Sequence, residues 1–218
     1  MSGNKIFIGV PSARDWDQKF GHQMSELMYR AGKKGHDVKL GTFSLSLLPA
    51  NRELILKTAV KLGVDYLMMI DDDMIFPPDI LDLFLSRNKD VVSANAPVKS
   101  GKFETVTTDI KTKKPISSIG KKGIEQAYTV SFALSLIRVS AFKDIPAPRF
   151  EIKWNPKTEK YRGEDIYFCD KLREAGVEMY VDHTASQYVM HAGKCYHTNR
   201  GTIIFAENSG VELQKPKN

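Results

Sequence analysis

Five apolar or aromatic residues, Tyr66-Leu67-Met68-Met69-Ile70, run straight into three carboxylates, Asp71-Asp72-Asp73. The apolar run has the length and continuity of a strand buried on both faces. Three acidic side chains at the tip of such a strand repel one another and are costly to desolvate without a counter-ion. A hard divalent cation, Mn²⁺ or Mg²⁺, suits that place, because it prefers oxygen ligands and bridges to phosphate. The bland alternative is a solvated acidic turn that only terminates the strand.

Around this strand, strand-like and helix-like segments alternate. Residues 5–10 read as a first strand, stopped by Pro11. Phe20, Met24, Leu27 and Met28 recur at helical spacing, predicting a helix that runs toward Gly32 or Gly35. Residues 37–42 read as a second strand. Residues 53–62 read as a second helix, with Leu54, Thr58, Ala59 and Leu62 inward and Gly63 closing it. Pro77-Pro78 restarts the chain as a short helix bearing Ile80, Leu81, Phe84 and Leu85, and residues 90–94 form a fourth strand. This alternation predicts an α/β fold with a mostly parallel, Rossmann-like central sheet and helices on both faces. In such sheets ligands bind outside the carboxyl ends of the strands, so Pro11-Ser12 and Asp71–Asp73 should share one cleft.

The second half has a different grain. Residues 95–122 read as loops, residues 128–139 as one buried strand, and residues 164–175 as an amphipathic helix with Phe168, Leu172 and Ala175 on one face. A strand follows at 177–181, and the segment after Gly201 is weakly patterned, ending in a mobile 215–218. The simplest organisation is a single domain over 1–218. It divides into a half of alternating strands and helices (1–95), a loop-rich half (96–200) and a tail (201–218).

Composition removes several classes. The 218 residues are 42% hydrophobic and 27% charged, ordinary for a soluble globular chain. No apolar run approaches the roughly 18–20 residues of a membrane span, and the first residues lack a signal-peptide pattern. Cys169 and Cys195 have neither CxxC spacing nor the density of a disulfide scaffold, so the expectation is a cytoplasmic protein with reduced thiols. The net charge of +6 is concentrated. Lys99, Lys102, Lys111, Lys113, Lys114, Lys121 and Lys122 are opposed only by Glu104 and Asp109, a patch that attracts polyanions.

Three further elements bear on chemistry. Gly163-Glu164-Asp165 places two acids at a helix start, either as a capping pair or with one of them as a general base. His191-Ala192-Gly193 offers an imidazole that suits Mn²⁺ as a third protein ligand, although His183 and His197 compete and a lone His is more often structural. Asn51-Arg52 opens the second helix, where Arg52 either pairs with a phosphate or is a surface charge beside Glu53.

Taken together these pieces resemble the GT-A class of nucleotide-sugar glycosyltransferases, nearest its small inverting family-two-like members. Asp71-Asp72-Asp73 matches the DxD motif, within DYLMMIDDDMIFPPDIL. GEDIYFCDKLREAG matches the later acidic motif and helix, and VDHTASQYVMHAG the strand, spacer and HxG segment. The resemblance spans roughly residues 5–193. It implies Asp71 near the donor ribose, with Asp71, Asp73 and His191 as the metal set for Mn²⁺ or Mg²⁺. It also implies Pro11, Ser12, Asn51, Arg52, Asp71 and Asp72 around the nucleotide, with UDP the expected base-diphosphate. Asp165 would be the catalytic base, assisted by Glu164. Two departures stand out. The family's second helix more often opens Arg-Asn, and a Gly-rich turn usually precedes the strand at 128–139, where Thr129-Val130-Ser131-Phe132 stands here.

By the family's order the lysine cluster falls on the acceptor side. The resulting expectation is a polyanionic acceptor such as a hydroxymethylated pyrimidine in bacteriophage DNA, with Lys99, Lys102 and Phe132 as acceptor residues and Phe103 and Tyr128 as further stacking candidates. A saccharide or envelope acceptor is the alternative. Two other classes compete. A nucleotidyltransferase would need a Gly-rich loop where this chain has Val10-Pro11-Ser12-Ala13-Arg14. A non-catalytic nucleic-acid-binding protein would leave Asp71–Asp73 and Glu164-Asp165 without a purpose.

Overall fold

The computed structural model describes residues 3–12, 15–98, 105–192, 195–198, 201–206 and 210–214, the last three stretches by backbone alone. In chain order the elements are β1 (Lys5–Pro11), α1 (Gln18–Lys33), β2 (Asp37–Phe43), α2 (Leu48–Leu62), β3 (Tyr66–Ile70), β4 (Met74–Ile75), α3 (Ile80–Ser86) and β5 (Val91–Ala94). The second half contributes β6 (Thr108–Asp109), β7 (Ile124–Thr129), β8 (Leu134–Arg138), β9 (Lys153–Asn155), β10 (Lys160–Arg162), α4 (Glu164–Glu174), β11 (Met179–Asp182), α5 (His183–Ser186) and β12 (Met190–His191). Three last strands follow: β13 (Cys195–Thr198), β14 (Gly201–Ala206) and β15 (Gly210–Gln214).

The central sheet has the order β2-β1-β3-β8-β5-β11-β7-β6. β1 pairs in parallel with β2 and β3, and β5 with β11. β8 is inserted antiparallel between β3 and β5, and β7 lies antiparallel between β11 and β6. All the strands except β8 and β7 therefore point one way, and the sheet is mostly parallel, as the alternation predicts. A second sheet, β15-β14-β13-β12-β4, grows from the short strand that follows the acidic triplet.

The period of two along β3 sorts its side chains onto two cores. Met68 and Ile70 pack with Phe20, Met24 and Leu27 of α1 and with α3 and Ala185 of α5. Leu67 and Met69 face Ile55, Leu56 and Ala59 of α2 and Phe168, Cys169 and Leu172 of α4. Each large apolar side chain buried this way contributes about 1.5–3 kcal/mol. Asp17 caps α1 by accepting from the Lys19 N–H at 2.8 Å. Gly63 ends α2 at φ 62°, a left-handed turn where a side chain would be strained. Buried Cys169 has its thiol pushed up to about 12 by desolvation, so it is a packing residue rather than a nucleophile.

Several boundaries differ from the sequence reading. α2 begins at Leu48, with a proline in its first turn, so Asn51 and Arg52 lie one turn inside it. Its buried face is Asn51, Arg52, Ile55, Leu56 and Ala59, while Leu54 and Leu62 are exposed. Residues 128–139 are not one strand: β7 and β8 are separated by 130–133, which pass beneath α4, Val130 donating its N–H to Cys169 Sγ at 3.3 Å. Ala175 is exposed, and Cys169 takes the inward place expected for it. The segment after Gly201 forms β14 and β15, whereas 215–218 lies outside the described residues. Among the described residues no helix is long and apolar enough to cross a membrane.

An ion pair fixes the loop before β9 to α2. Arg149 donates to Glu53 from its backbone N–H (2.9 Å), Nε (3.2 Å) and Nη2 (2.9 Å). Burial raises the Glu53 carboxyl, but these contacts outweigh it and hold the group below its ordinary value. A depressed native value means stability present above the unfolded value and lost as pH falls through the native one. Glu53→Gln is expected to cost about 1–3 kcal/mol at pH 7. In thermal melts its gap from the unsubstituted chain should close below about pH 4.

Candidate active site

β1 and β3 lie side by side, so their carboxyl ends bring Pro11-Ser12 and the acidic triplet together. Ser12 donates to Asp72 Oδ2 at 2.8 Å. The triplet is a tight turn, with Asp71 donating its N–H to the Ala133 carbonyl at 2.8 Å and accepting from the Met74 N–H at 3.1 Å. A cleft of about 260 Å³ opens here, lined by Pro11, Ser12, Leu45, Asn51 and Asp71–Asp73. Asn51 shapes its wall: the amide accepts from the Leu45 N–H at 2.6 Å and donates to the Leu45 carbonyl at 3.0 Å.

Arg52 is not in that lining. Its side chain is 2% exposed, and its guanidinium joins three carboxylates. Nη2 donates to both oxygens of Asp71, at 3.2 and 3.1 Å. Nη1 pairs with Glu164 Oε1 at 3.2 Å and closely with Asp165 Oδ1. The helix can approach this far because Gly9 of β1 lacks a Cβ, which would stand 2.3 Å from Ile55 Cγ2, one turn beyond Arg52. The reading of Arg52 as a phosphate ligand is thereby corrected: one buried cation serves Asp71 of the triplet and both acids of α4. Burial pushes the Asp71 carboxyl up from its ordinary value, against the pull of Arg52, and the Asp73 charge adds to the rise. A signal for this existed in the sequence, since Ile55, Leu56 and Ala59 lie at i+3, i+4 and i+7 from Arg52.

β12 pairs with β4 so that His191 stands opposite Met74, next to the triplet. The Ala192 N–H donates to the Asp73 carbonyl at 2.7 Å. His191 Nδ1 is 2.5 Å from the Pro97 carbonyl, an acceptor only, so Nδ1 donates and Nε2 is the ring nitrogen on the side of Asp73. Nε2 lies 3.8 Å from Asp73 Oδ1. Among the described residues no three His, Cys, Asp or Glu side chains gather closely enough to enclose an ion. The donor set still fits one. Magnesium-like ions take one or two protein ligands and complete the shell with water and substrate phosphate, and a backbone-anchored imidazole is the usual form of a histidine ligand. Asp71 is engaged by Arg52, and Asp73 and His191 are the carboxylate and imidazole that stand together beside the cleft.

Glu164 and Asp165 open α4 after Gly163. The Phe132 N–H donates to Asp165 Oδ2 at 3.1 Å, so both oxygens of Asp165 are held, whereas Glu164 Oε2 has no partner among the described residues. Phe132 itself is fully buried, its ring 5.0 Å from Phe168 and 5.9 Å from Phe150. It is a core residue and not an acceptor platform; only its backbone serves the site. His183 is also removed from contention, being buried between Ser118 Oγ (2.8 Å) and Glu125 Oε2 (3.0 Å). Lys99, Lys102, Phe103 and Gly193 lie outside the described residues, as does the His197 side chain.

Fold and site together define an α/β protein with a carboxylate-rich cleft at the carboxyl edge of a mostly parallel sheet. No protein-family profile and no curated protein matches the chain. Among solved structures it is similar in fold to A197 from STIV, at TM-score 0.62 and 15% identity over 97% of this chain and 98% of that one. A Desulfovibrio desulfuricans G20 protein assigned as a nucleotide-diphospho-sugar transferase aligns at TM-score 0.44 and 13% identity, over 83% and 80% of the two chains. Apo UDP-glucose pyrophosphorylase aligns at 0.42 and 10%, over 82% and 72%. At those scores neither of the latter two carries weight, and the first bears on fold alone.

Proposed function

We propose that this chain is a metal-dependent, inverting glycosyltransferase that moves a sugar from a nucleoside diphosphate sugar to an acceptor hydroxyl. The observation that carries the reading is the pairing of Asp73 with the anchored His191 at the mouth of the Pro11-Ser12 cleft, with Asp165 tied to the same centre through Arg52 and Asp71. Five carboxylates, Asp71, Asp72, Asp73, Glu164 and Asp165, gather here, and the buried Arg52 guanidinium pairs with three of them, so the site favours a divalent cation. The chemistry such an ion supplies, held by Asp73 and His191, is neutralisation of the departing diphosphate.

The chain's own groups account for the remaining requirements. Ser12 holds Asp72 against the cleft wall, and Asn51 keeps the Leu45 backbone clear of the nucleotide position. Asp165 accepts the hydroxyl proton through Oδ2, an oxygen with lone-pair capacity beyond the Phe132 N–H. Attack from the side opposite the leaving diphosphate inverts the anomeric carbon. The transition state resembles the oxocarbenium ion of glycoside hydrolysis, and the protein chiefly orients the partners.

Thermal-shift measurement with nucleoside diphosphates, with and without Mn²⁺, tests this reading. A diphosphate at 100 times its Kd contributes about 2.7 kcal/mol, hence a rise of roughly 5–11 °C in a chain of this size. The shift should require both metal and nucleotide, vanish in Asp73→Ala and weaken in His191→Ala. If no diphosphate stabilises the chain with metal present, the transferase reading is wrong.

A further inference from the structure

The hairpin β9–β10 leads directly into the Gly163-Glu164-Asp165 helix start and carries two aromatic side chains the proposed chemistry does not use. Trp154 and Tyr161 face each other across the hairpin, ring centroids 5.1 Å apart, and are 52% and 73% exposed. Two large aromatics left in water beside a site ask for a ligand with apolar faces.

The same composition continues along the outer face of α4. Tyr167 lies one turn before Lys171, and its ring has Lys153 Nζ at 4.6 Å and Lys171 Nζ at 5.7 Å. On the neighbouring stripe, Asp170 joins Arg162 of the hairpin to Arg173. The Arg173 guanidinium stands 3.7 Å from the Tyr128 ring centroid, and Lys113 Nζ stands 3.3 Å from it. A belt of alternating cations and rings thus runs the length of α4, about 16 Å. One end is the lysine-rich turn at 111–114, and the other is Asp165. Lys157 and Lys160, at the hairpin tip, have no ion-pair partner among the described residues.

We infer that this belt is the acceptor track, and that its occupant is a single-stranded nucleic acid. Cations spaced along a surface follow phosphates, and exposed rings between them stack on unpaired bases. A duplex would offer the phosphates but not the base faces. Lys153 and Lys171 have Glu151 and Glu174 as ion-pair partners, so a neutral saccharide could use the rings but would leave Lys157 and Lys160 unmatched. The inference rests on the glycosyltransferase reading only in calling the track an acceptor site; the binding it predicts stands separately.

The test is fluorescence anisotropy of the full chain with a labelled 12-nucleotide DNA of mixed sequence, without metal or sugar nucleotide. The single strand should bind more tightly than the matching duplex or a heparin oligosaccharide of equal charge. Trp154→Ala/Tyr161→Ala should raise Kd at least about tenfold, because each stacked base contributes about 1–3 kcal/mol. Trp154→Phe/Tyr161→Phe, which keeps two rings, should bind nearly as the unsubstituted chain does. Lys157→Ala/Lys160→Ala should flatten the slope of log K against log salt by about 1.4. All four positions are on the surface, and unchanged melting temperatures will show the variants folded. Equal binding of duplex or heparin, or indifference to the aromatic double substitution, overturns the inference. If that happens while diphosphate and metal still shift the melting temperature, the acceptor assignment alone has failed. Oligonucleotide binding without any diphosphate shift removes the transferase reading instead.

Discussion

Arg52→Met should lower stability by about 3–5 kcal/mol, the usual cost of removing one partner from a buried ion pair. For a chain of this length that is a fall of roughly 6–20 °C in melting temperature. The cause is specific: Asp71, Glu164 and Asp165 would share a pocket whose buried cation has gone. Because burial already raises the Asp71 carboxyl, the effect has a direction in pH. A carboxyl raised in the folded state adds stability below its unfolded value and loses it as pH climbs through the folded one. The defect should therefore be largest at neutral and alkaline pH and shrink toward pH 4. Arg52→Lys should recover only part of the loss, since a single ammonium cannot serve carboxylates on two sides as a planar fork does. Adding Asp71→Asn to Arg52→Met should restore stability relative to Arg52→Met alone, the signature of coupled partners in a double-mutant cycle. A loss below 1 kcal/mol in Arg52→Met would show that the pocket does not depend on this cation.

The second large effect concerns catalysis. Asp165→Asn is expected to reduce transfer to the acceptor by about 10²–10⁴-fold, the range for loss of a general base. Its thermal shift with nucleoside diphosphate and Mn²⁺ should remain, because Asp73, His191 and the cleft are untouched. Glu164→Gln should have the smaller effect. The opposite order would give the proton to Glu164, whose Oε2 is unengaged. Equal retention of activity in both variants would remove the base from α4 altogether.

Much of this arrangement could be read from the residues in order. An apolar run ending in acids has few ways to fold, and β3 lies where that run predicts, with Pro11-Ser12 beside its end. Helix periodicity located α1, where Phe20, Met24 and Leu27 are buried. The misreadings share a cause. Arg52 shares a helical stripe with Ile55, Leu56 and Ala59, but a charge beside Glu53 reads as a surface or phosphate-binding group, and only the carboxylates of two distant segments make its interior place tolerable. Phe132 was assigned to a surface because a linker crossing beneath a helix has no periodicity of its own. Residues 128–139 are mostly apolar with no marked break, and that pattern does not reveal that the chain leaves the sheet at Val130 and returns at Leu134. The hairpin pair Trp154 and Tyr161 was passed over because alternating charged and aromatic residues in a short stretch resemble an ordinary exposed loop.

Asp71 follows the last residue of β3 in the large sheet, whereas Asp73 precedes the first residue of β4 in the small one. Two side chains only two positions apart thus answer to different frames. Asp71 is tied to Arg52 beside the helix-flanked sheet. Asp73 is tied to the strand that carries His191, because β4 and β12 are bonded neighbours. The triplet is thus a joint between two sheets, and the spacing of Asp73 and His191 from Arg52 and the acids of α4 depends on how the small sheet is seated on the large one. Under the proposed chemistry, the strands that follow β12 would bear on that spacing, although they are remote from the cleft in sequence.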